Sequence, residues 1–480
     1  MRFALLGLAF AASAAAGPWA EPGDSALRTD VVLLAGAGAI DSITTHWPLP
    51  WAGLNDRLDG ERPELSDPLR AAAQRLRQRG HDETRTHVLA TAVHVDAATS
   101  PNLVRGFDAL GRQTLQAQLS VDYLWGDTAL HLARGVRTTM KSDRQLFVPD
   151  GSYIAQRIGD AVVYAGYRDH WWGPGWISAL SVSTNARPIP QLGFSRLSTT
   201  PFETPWLSWL GPWHLEFFAG VLDGPRIARN TIYSGLRFAF SPIPYLEIGL
   251  SRTDQMCGTG HPCKPLAGYF NLANDPKKVN VVNDQGAFDI RYGRTFANWG
   301  FELYTQAMNE DTSPVTHSAS SHQVGGSIFL PRQDGVGRLT VEYTDSVATR
   351  DLFGGGIMHG TAYNNSDYVD GMRYRGRTLG FSLDSDSRLF SVQGAFTDTA
   401  QRSLTVTYHH AAISTAANPS GNVVTTAPVS VNMGVARLSL PLTVGTRRWR
   451  LDLEGRLQDD QPRPDRGTLA SAEVALTANW

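Results

Sequence analysis

"RRWRLDLEGRL", residues 447–457, alternates with a period of two. Trp449, Leu451, Leu453 and Leu457 fall on one side, and Arg448, Arg450, Asp452, Glu454 and Arg456 on the other. Successive side chains of a β-strand point to opposite faces, so this segment is a strand with one apolar and one charged face. That many charges on one face do not suit the core of a soluble sandwich, whereas the lumen of a transmembrane barrel holds them. "RQTLQAQLSVD", residues 112–122, repeats the pattern, with Leu115, Ala117, Leu119 and Val121 opposite Thr114, Gln116, Gln118, Ser120 and Asp122. The period persists from His81 to the end in segments of about ten residues, the length a tilted spanning strand needs. "SAEVALTANW", residues 471–480, alternates Val474, Leu476, Ala478 and Trp480 and stops on an aromatic, as the closing strand of an outer-membrane barrel does. The expected fold class is therefore an all-β transmembrane barrel over residues 81–480.

The first residues, "MRFALLGLAFAASAAAG", carry one Arg, an apolar run from Leu5 to Ala12 and small residues before a cut after Ala16. That is the layout of a secretory signal peptide, residues 1–16. No later stretch reaches the roughly 18 to 20 apolar residues of a spanning helix. Residues 17–80 read as a small helical bundle. Leu27, Val31 and Leu34 recur at helical spacing after Asp24 and Ser25, and Trp51, Leu54 and Leu58 repeat it. "SDPLRAAAQRLRQRG", residues 66–80, offers Ser66 as N-cap, Pro68 in the first turn, Leu69, Ala73 and Leu76 on one face, and Gly80 as a stop.

About twenty candidate strands begin near Thr84, and loop lengths test that number, because periplasmic turns are short and surface loops long. With the bundle and Trp480 both on the periplasmic side, the longest loops, 253–285 and 347–373, land on the wrong side. Removing one strand between residues 140 and 252 and one between 374 and 410 repairs this and leaves eighteen; adding one in each place would serve equally.

Lys+Arg 43 nearly balance Asp+Glu 45, a formal net charge of -2, which excludes the basic excess a nucleic-acid partner would require. The two cysteines lie in "CGTGHPC", residues 257–263, and in an exported chain Cys257 and Cys263 read as a small disulfide loop. Neither Gly-x-Ser-x-Gly nor His-Glu-x-x-His occurs, and His409 and His410, with Ser403 or Thr407 nearby, face opposite ways as strand neighbours. No enzyme, cofactor or metal is expected; "DSDS", residues 384–387, is more simply an acidic hairpin turn than a calcium loop.

"DHWWGPGWISALSVSTNARPIPQLGFSR", residues 169–196, resembles the Trp-Trp-Gly-Pro-Gly and Ser-Thr-Asn-Ala-Arg-Pro signature of the Wzi capsule-assembly family. "YNNSDYVDGMRYRGRTLGFSLDSDS", residues 363–387, is similar to its second signature. Residues 29–51 and "FDIRYG", residues 288–293, resemble it further. Met372 stands where the family usually has an aromatic and Asn365 where it often has His. The resemblance implies an eighteen-stranded outer-membrane barrel of a Gram-negative bacterium with a periplasmic helical bundle. It implies a lectin-like, non-catalytic role in attaching capsular or exopolysaccharide to the cell.

Two uses compete for the motif residues. Trp171, Trp172 and Trp176 could stack on sugar rings, Arg187, Arg373, Arg375 and Arg377 could pair with carboxylates of an acidic polymer, and Asn185, Tyr363, Asn365 and Tyr368 could serve hydroxyls. Alternatively they plug the lumen, with Arg373, Arg375 and Arg377 on one face of a strand paired with acids such as Asp452 and Glu454. Other expected partners are outer-membrane lipid and, through the bundle, a periplasmic or export-machinery protein, with the chain itself a monomer. A diffusion porin, or a scaffold of an export machine, is the alternative function.

Overall fold

The computed structural model describes residues 17–59, 64–263, 282–310, 319–352, 355–416, 421–445, 447–463 and 465–480. The expected signal peptide, residues 1–16, lies outside them. Among the described residues three helices precede a closed barrel of eighteen antiparallel strands. The helices are α1 (Ser25–Gly36), α2 (Trp51–Leu58) and α3 (Asp67–Glu83).

The strands run β1 (Leu89–Ala98), β2 (Leu115–Trp125), β3 (Thr128–Arg137), β4 (Tyr153–Ile158), β5 (Ala161–Tyr167) and β6 (Pro190–Arg196). They continue as β7 (Trp213–Leu222), β8 (Thr231–Phe240), β9 (Leu246–Met256), β10 (Asn283–Thr295), β11 (Gly300–Glu310) and β12 (Ala319–Arg332). The last six are β13 (Gly335–Thr349), β14 (Arg388–Asp398), β15 (Ser403–Ile413), β16 (Val429–Val444), β17 (Arg447–Gln458) and β18 (Leu469–Asn479). β18 pairs with β1, Val474 opposite Ala97, so no strand edge is left open.

The two-residue period sorts the side chains as the membrane demands. In β17, Leu453 and Leu457 face outward, while Asp452, Glu454 and Arg456 are buried in the lumen. Leu115, Leu119, Leu132, Leu303 and Val406 likewise point out from their strands. Inside, opposite charges pair across the strands: Arg456 Nη1 is 2.7 Å from Glu473 and 2.8 Å from Glu454, and Arg237 is 2.8 Å from Asp289.

Alternating the strand directions puts the helices, the C-terminus and the short turns at 126–127, 159–160 and 333–334 at one end. The segments 99–114, 138–152, 168–189, 257–263 and 355–387 lie at the other. Both parity corrections fall where loop lengths put them. Trp171–Trp172 pairs with His46–Trp47 rather than with the barrel wall, and residues 371–387 do not contribute a wall strand.

Two helix expectations change. Gly80 does not stop α3, which runs on to Glu83; a Cβ there would sit 2.1 Å from Asn55 Oδ1 and 3.1 Å from Trp51, so the glycine permits α2 and α3 to approach closely. Ser66 stands at the expected N-cap position, but its side chain does not cap the helix and donates instead to Ala297 O, 3.0 Å away, tying α3 to a barrel turn. Asp24, by contrast, caps α1 by accepting from Leu27 N at 2.9 Å. The bundle packs on the barrel: every residue of α1 from Leu27 to Gly36 is buried, and the helix packs on β10 and on α3.

Candidate functional site: the filled lumen and its outer cap

β5 ends at Tyr167 and β6 begins at Pro190; the chain between them turns into the lumen instead of crossing the membrane again. The turn is sharp because Gly173 has φ +126° and because a Cβ there would lie 2.5 Å from Gln306 Nε2. From the opposite end α1 brings in Arg28, whose Nη1 donates to Gly175 O at 2.8 Å and Nη2 to Pro174 O at 2.6 Å. The Gly-Pro-Gly turn and the first helix therefore form one joint at the waist of the barrel.

Each indole has a seat. Trp176 is sandwiched by Arg28 Cζ at 4.2 Å and Arg338 Cζ at 3.6 Å from its ring centroid, on the electron-rich faces that attract cations. Its Nε1 donates to Glu302 at 2.6 Å, and its backbone N–H to Glu342 at 2.8 Å. Trp172 Nε1 donates to Glu216 at 3.0 Å and Trp171 Nε1 to Gly175 O at 3.1 Å. Trp171 and Trp172 are 0% exposed and Trp176 is 2% exposed, so no ring face is open to a ligand in this state.

The second motif lies over the first. Tyr363 OH donates to Leu180 O at 2.7 Å and accepts from Phe381 N at 3.2 Å. Asn185 Nδ2 donates to Thr378 O at 2.9 Å. Tyr368 OH donates to Cys257 O at 3.1 Å and its ring stacks on His261, inside the loop that the Cys257–Cys263 disulfide closes. Asn365, half-buried, accepts from the backbone N–H of Asp367 and Tyr368 and reaches Asn283 at 3.2 Å.

The three arginines of "RYRGR" do not alternate along one face. Arg373–Tyr374 and Arg377–Thr378 are the arms of a tight hairpin, with Arg375 at φ +49° and Gly376 at φ +80° forming its tip. Two positive φ values in succession turn the chain back on itself, which a barrel strand cannot do. Arg373 binds Asp384 through Nε at 2.9 Å and Nη2 at 2.7 Å; Arg375 lies 3.1 Å from Asp143 and 3.3 Å from Asp223. Arg377 donates to Arg112 O at 2.7 Å. Asp452 and Glu454, the expected partners, are instead engaged by Arg450 and by Arg437 and Arg456. Arg187 holds Asp150, its Nη2 2.6 Å from Oδ1. "DSDS" turns the chain, and its acids are engaged inside the protein: Asp384 serves Arg373 and Val423 N while Asp386 serves His359 and Gly360 N. His409 turns inward to Ser391 Oγ, 2.7 Å away, and His410 outward to Asn432, so neither meets Ser403 or Thr407.

Sequence reading missed the residues that receive the plug: Arg28, Glu216, Glu302, Gln306, Arg338 and Glu342. The same period would have shown most of them, because Glu302, Tyr304 and Gln306 share the inward face of β11, and Arg338, Thr340 and Glu342 that of β13. At the cap's surface a cleft of about 580 Å³ opens between the hairpin tip and the segments around Lys141, Asp223 and Gly421.

The fold and site define a closed transmembrane barrel filled at its waist by its own polar side chains and covered by its own loops. The sequence pattern of the family described as capsule assembly protein Wzi matches residues 84–461, and the chain belongs to that outer-membrane family. An uncharacterized 55.8 kDa protein in the cps region of Klebsiella pneumoniae is 26% identical over 312 residues, a match that spans 62% of this chain and 59% of that protein. The structure of Wzi from Escherichia coli, described as an outer-membrane protein involved in group 1 capsule assembly and a carbohydrate-binding β-barrel, is similar with a TM-score of 0.80 and 20% identity. That match covers 97% of this chain and 99% of the other.

Proposed function

We propose that this protein holds capsular or related extracellular polysaccharide at the outer face of a Gram-negative cell, as a monomer and without catalysing a reaction. The observation that carries this reading is the filled waist. Arg28, Trp176 and Arg338 stack inside the lumen and, among the described residues, fill its waist, while the candidate ligand-binding side chains are gathered in the long segments at one end. Long segments face outward and short turns face the periplasm in barrels of this kind, so the cap meets the polymer and the helices face inward. The helical end is then the surface for a periplasmic or export-machinery partner. Membership of a capsule-assembly family supports the same reading, as does the carbohydrate binding ascribed to the similar Escherichia coli protein. A strain lacking the protein is expected to synthesise polymer and shed it into the medium. Normal retention on the cell surface would overturn the proposal.

A further inference from the structure

The arginines of the cap are not equally satisfied. Arg373 and Arg187 each turn the Nε/Nη2 edge of the guanidinium, the edge that matches a carboxylate atom for atom, onto an internal acid, Asp384 and Asp150. Arg226 is placed otherwise. Its Nη1 donates to Arg373 O at 3.2 Å, but Nε and Nη2 have no hydrogen-bond acceptor, although the side chain is only 5% exposed. The nearest carboxylate oxygen, Asp370 Oδ2, is 3.9 Å from Nε and is already accepting from Ile227 N at 2.8 Å. Burial lowers the Arg226 guanidinium from its ordinary value, the cost of holding a charge in that wall with half its donors unmet.

Arg226 lines the cleft of about 580 Å³, a volume suited to a few sugar rings, together with three further cations, of which Arg373 is already held by Asp384. Arg375 is shared between Asp143 and Asp223, and its Nε has no acceptor. Lys141 is exposed and, among the described residues, makes no ion pair. The acids of the lining are spoken for: Asp223 also accepts from Tyr374 OH, and Asp370 from the Ile227 amide. Donor capacity thus exceeds acceptor capacity around one cleft, and Val369 and Met140 add an apolar wall to it.

We propose that this cleft seats a carboxylate-bearing sugar of the polymer, with Lys141 and Arg226 receiving the carboxylate and Val369 and Met140 lying against the ring. Swinging the Arg226 fork away from Asp370 brings Nε and Nη2 to the ligand as a pair, in the geometry that Arg373 already uses with Asp384. The inference rests on the polysaccharide-holding role and adds to it a place and a chemical class. One seat of this kind is weak; successive uronate residues passing over many copies on the cell surface supply the retention.

The test titrates the purified, detergent-solubilised full chain with oligosaccharides of galacturonate, glucuronate and mannuronate, each against its carboxyl-reduced neutral counterpart. At least one acid form is expected to bind tenfold or more tightly than its reduced form, with the preference shrinking as salt rises from about 0.05 to about 0.5 M, over which the Debye length shortens roughly threefold. Lys141→Glu and Arg226→Gln are each expected to weaken that binding at least tenfold. Lys141→Glu touches an exposed side chain without an ion pair, so it leaves the barrel folded, as its heat-modifiable gel shift will report. Equal binding of acid and reduced forms, binding of neither, or unchanged affinity in Lys141→Glu overturns the assignment. If that happens while the deletion strain still sheds polymer, the cleft assignment falls and the retention role stands; if the strain keeps its polymer, the role falls as well.

Discussion

Tryptophan does opposite work at the two places where this barrel concentrates it. In the lumen Trp171, Trp172 and Trp176 are sealed, and each indole N–H has a protein acceptor. At the short-turn rim Trp206, Trp209, Trp299 and Trp480 are 72%, 60%, 45% and 49% exposed, with Trp299 stacked on Phe296 at 4.9 Å and Arg447 over Trp480 at 5.2 Å. The rim residues form the aromatic girdle that sits at a membrane interface, where one end of the ring is apolar and the other wet. The difference lies in what surrounds the ring. Around the plug, acids and arginines carried on remote strands convert an interface residue into a structural one.

The sharpest way to break that contrast is Trp176→Ala. It removes the ring between Arg28 and Arg338 and leaves Glu302 without the indole donor it now has. The expected loss is about 3–5 kcal/mol, the range for excising a buried Trp, read from denaturant unfolding of the protein in liposomes.

A smaller effect is expected where the bundle meets the barrel. Burial pushes the Asp24 carboxyl upward, but Arg79, Arg450 and the Leu27 N–H outweigh it and hold the group well below the usual carboxylate range. A depressed carboxylate contributes stability that is full above its unfolded value of 3.8 and drains away as pH falls through that value and below. Asp24→Asn keeps a competent cap and removes the charge. It should cost about 1–2 kcal/mol at pH 7, and its deficit relative to the wild type should narrow as unfolding is followed from neutral pH towards pH 3.

The smallest effect belongs to the rim. Trp206→Ser with Trp209→Ser should change stability by only about 0.5 kcal/mol, while removing a fraction of the tryptophan fluorescence quenched by brominated lipid. Quenching that is unaffected would remove these two residues from the girdle.

The sequence carried the wall of the barrel well, because a period of two in β17 or β2 is dictated locally by lipid outside and water or charge inside. Loop lengths also located the two places where simple strand counting fails, one of them the interval 140–252 that contains residues 168–189, though adding a strand would have repaired the count as well as removing one. They did not show what residues 168–189 meet. Arg28 and Glu342 are far from Trp176 along the chain, and only the closed barrel brings them together. The same limit explains "RYRGR": its alternation imitates a strand, and the backbone turn at Arg375–Gly376 overrides it. Gly80 read as a helix stop for a similar reason, since its contact with Asn55 on another helix is tertiary.

The central claim is that "WWGPGW" belongs to a plug that closes the lumen. Planar-bilayer recording of the purified wild-type chain tests it most directly. No large, steady conductance is expected, with openings appearing when Arg28 is replaced by Ala and the Gly-Pro-Gly turn loses its two hydrogen bonds. A large, stable ohmic conductance in the wild type would contradict a filled lumen and return the protein to the porins.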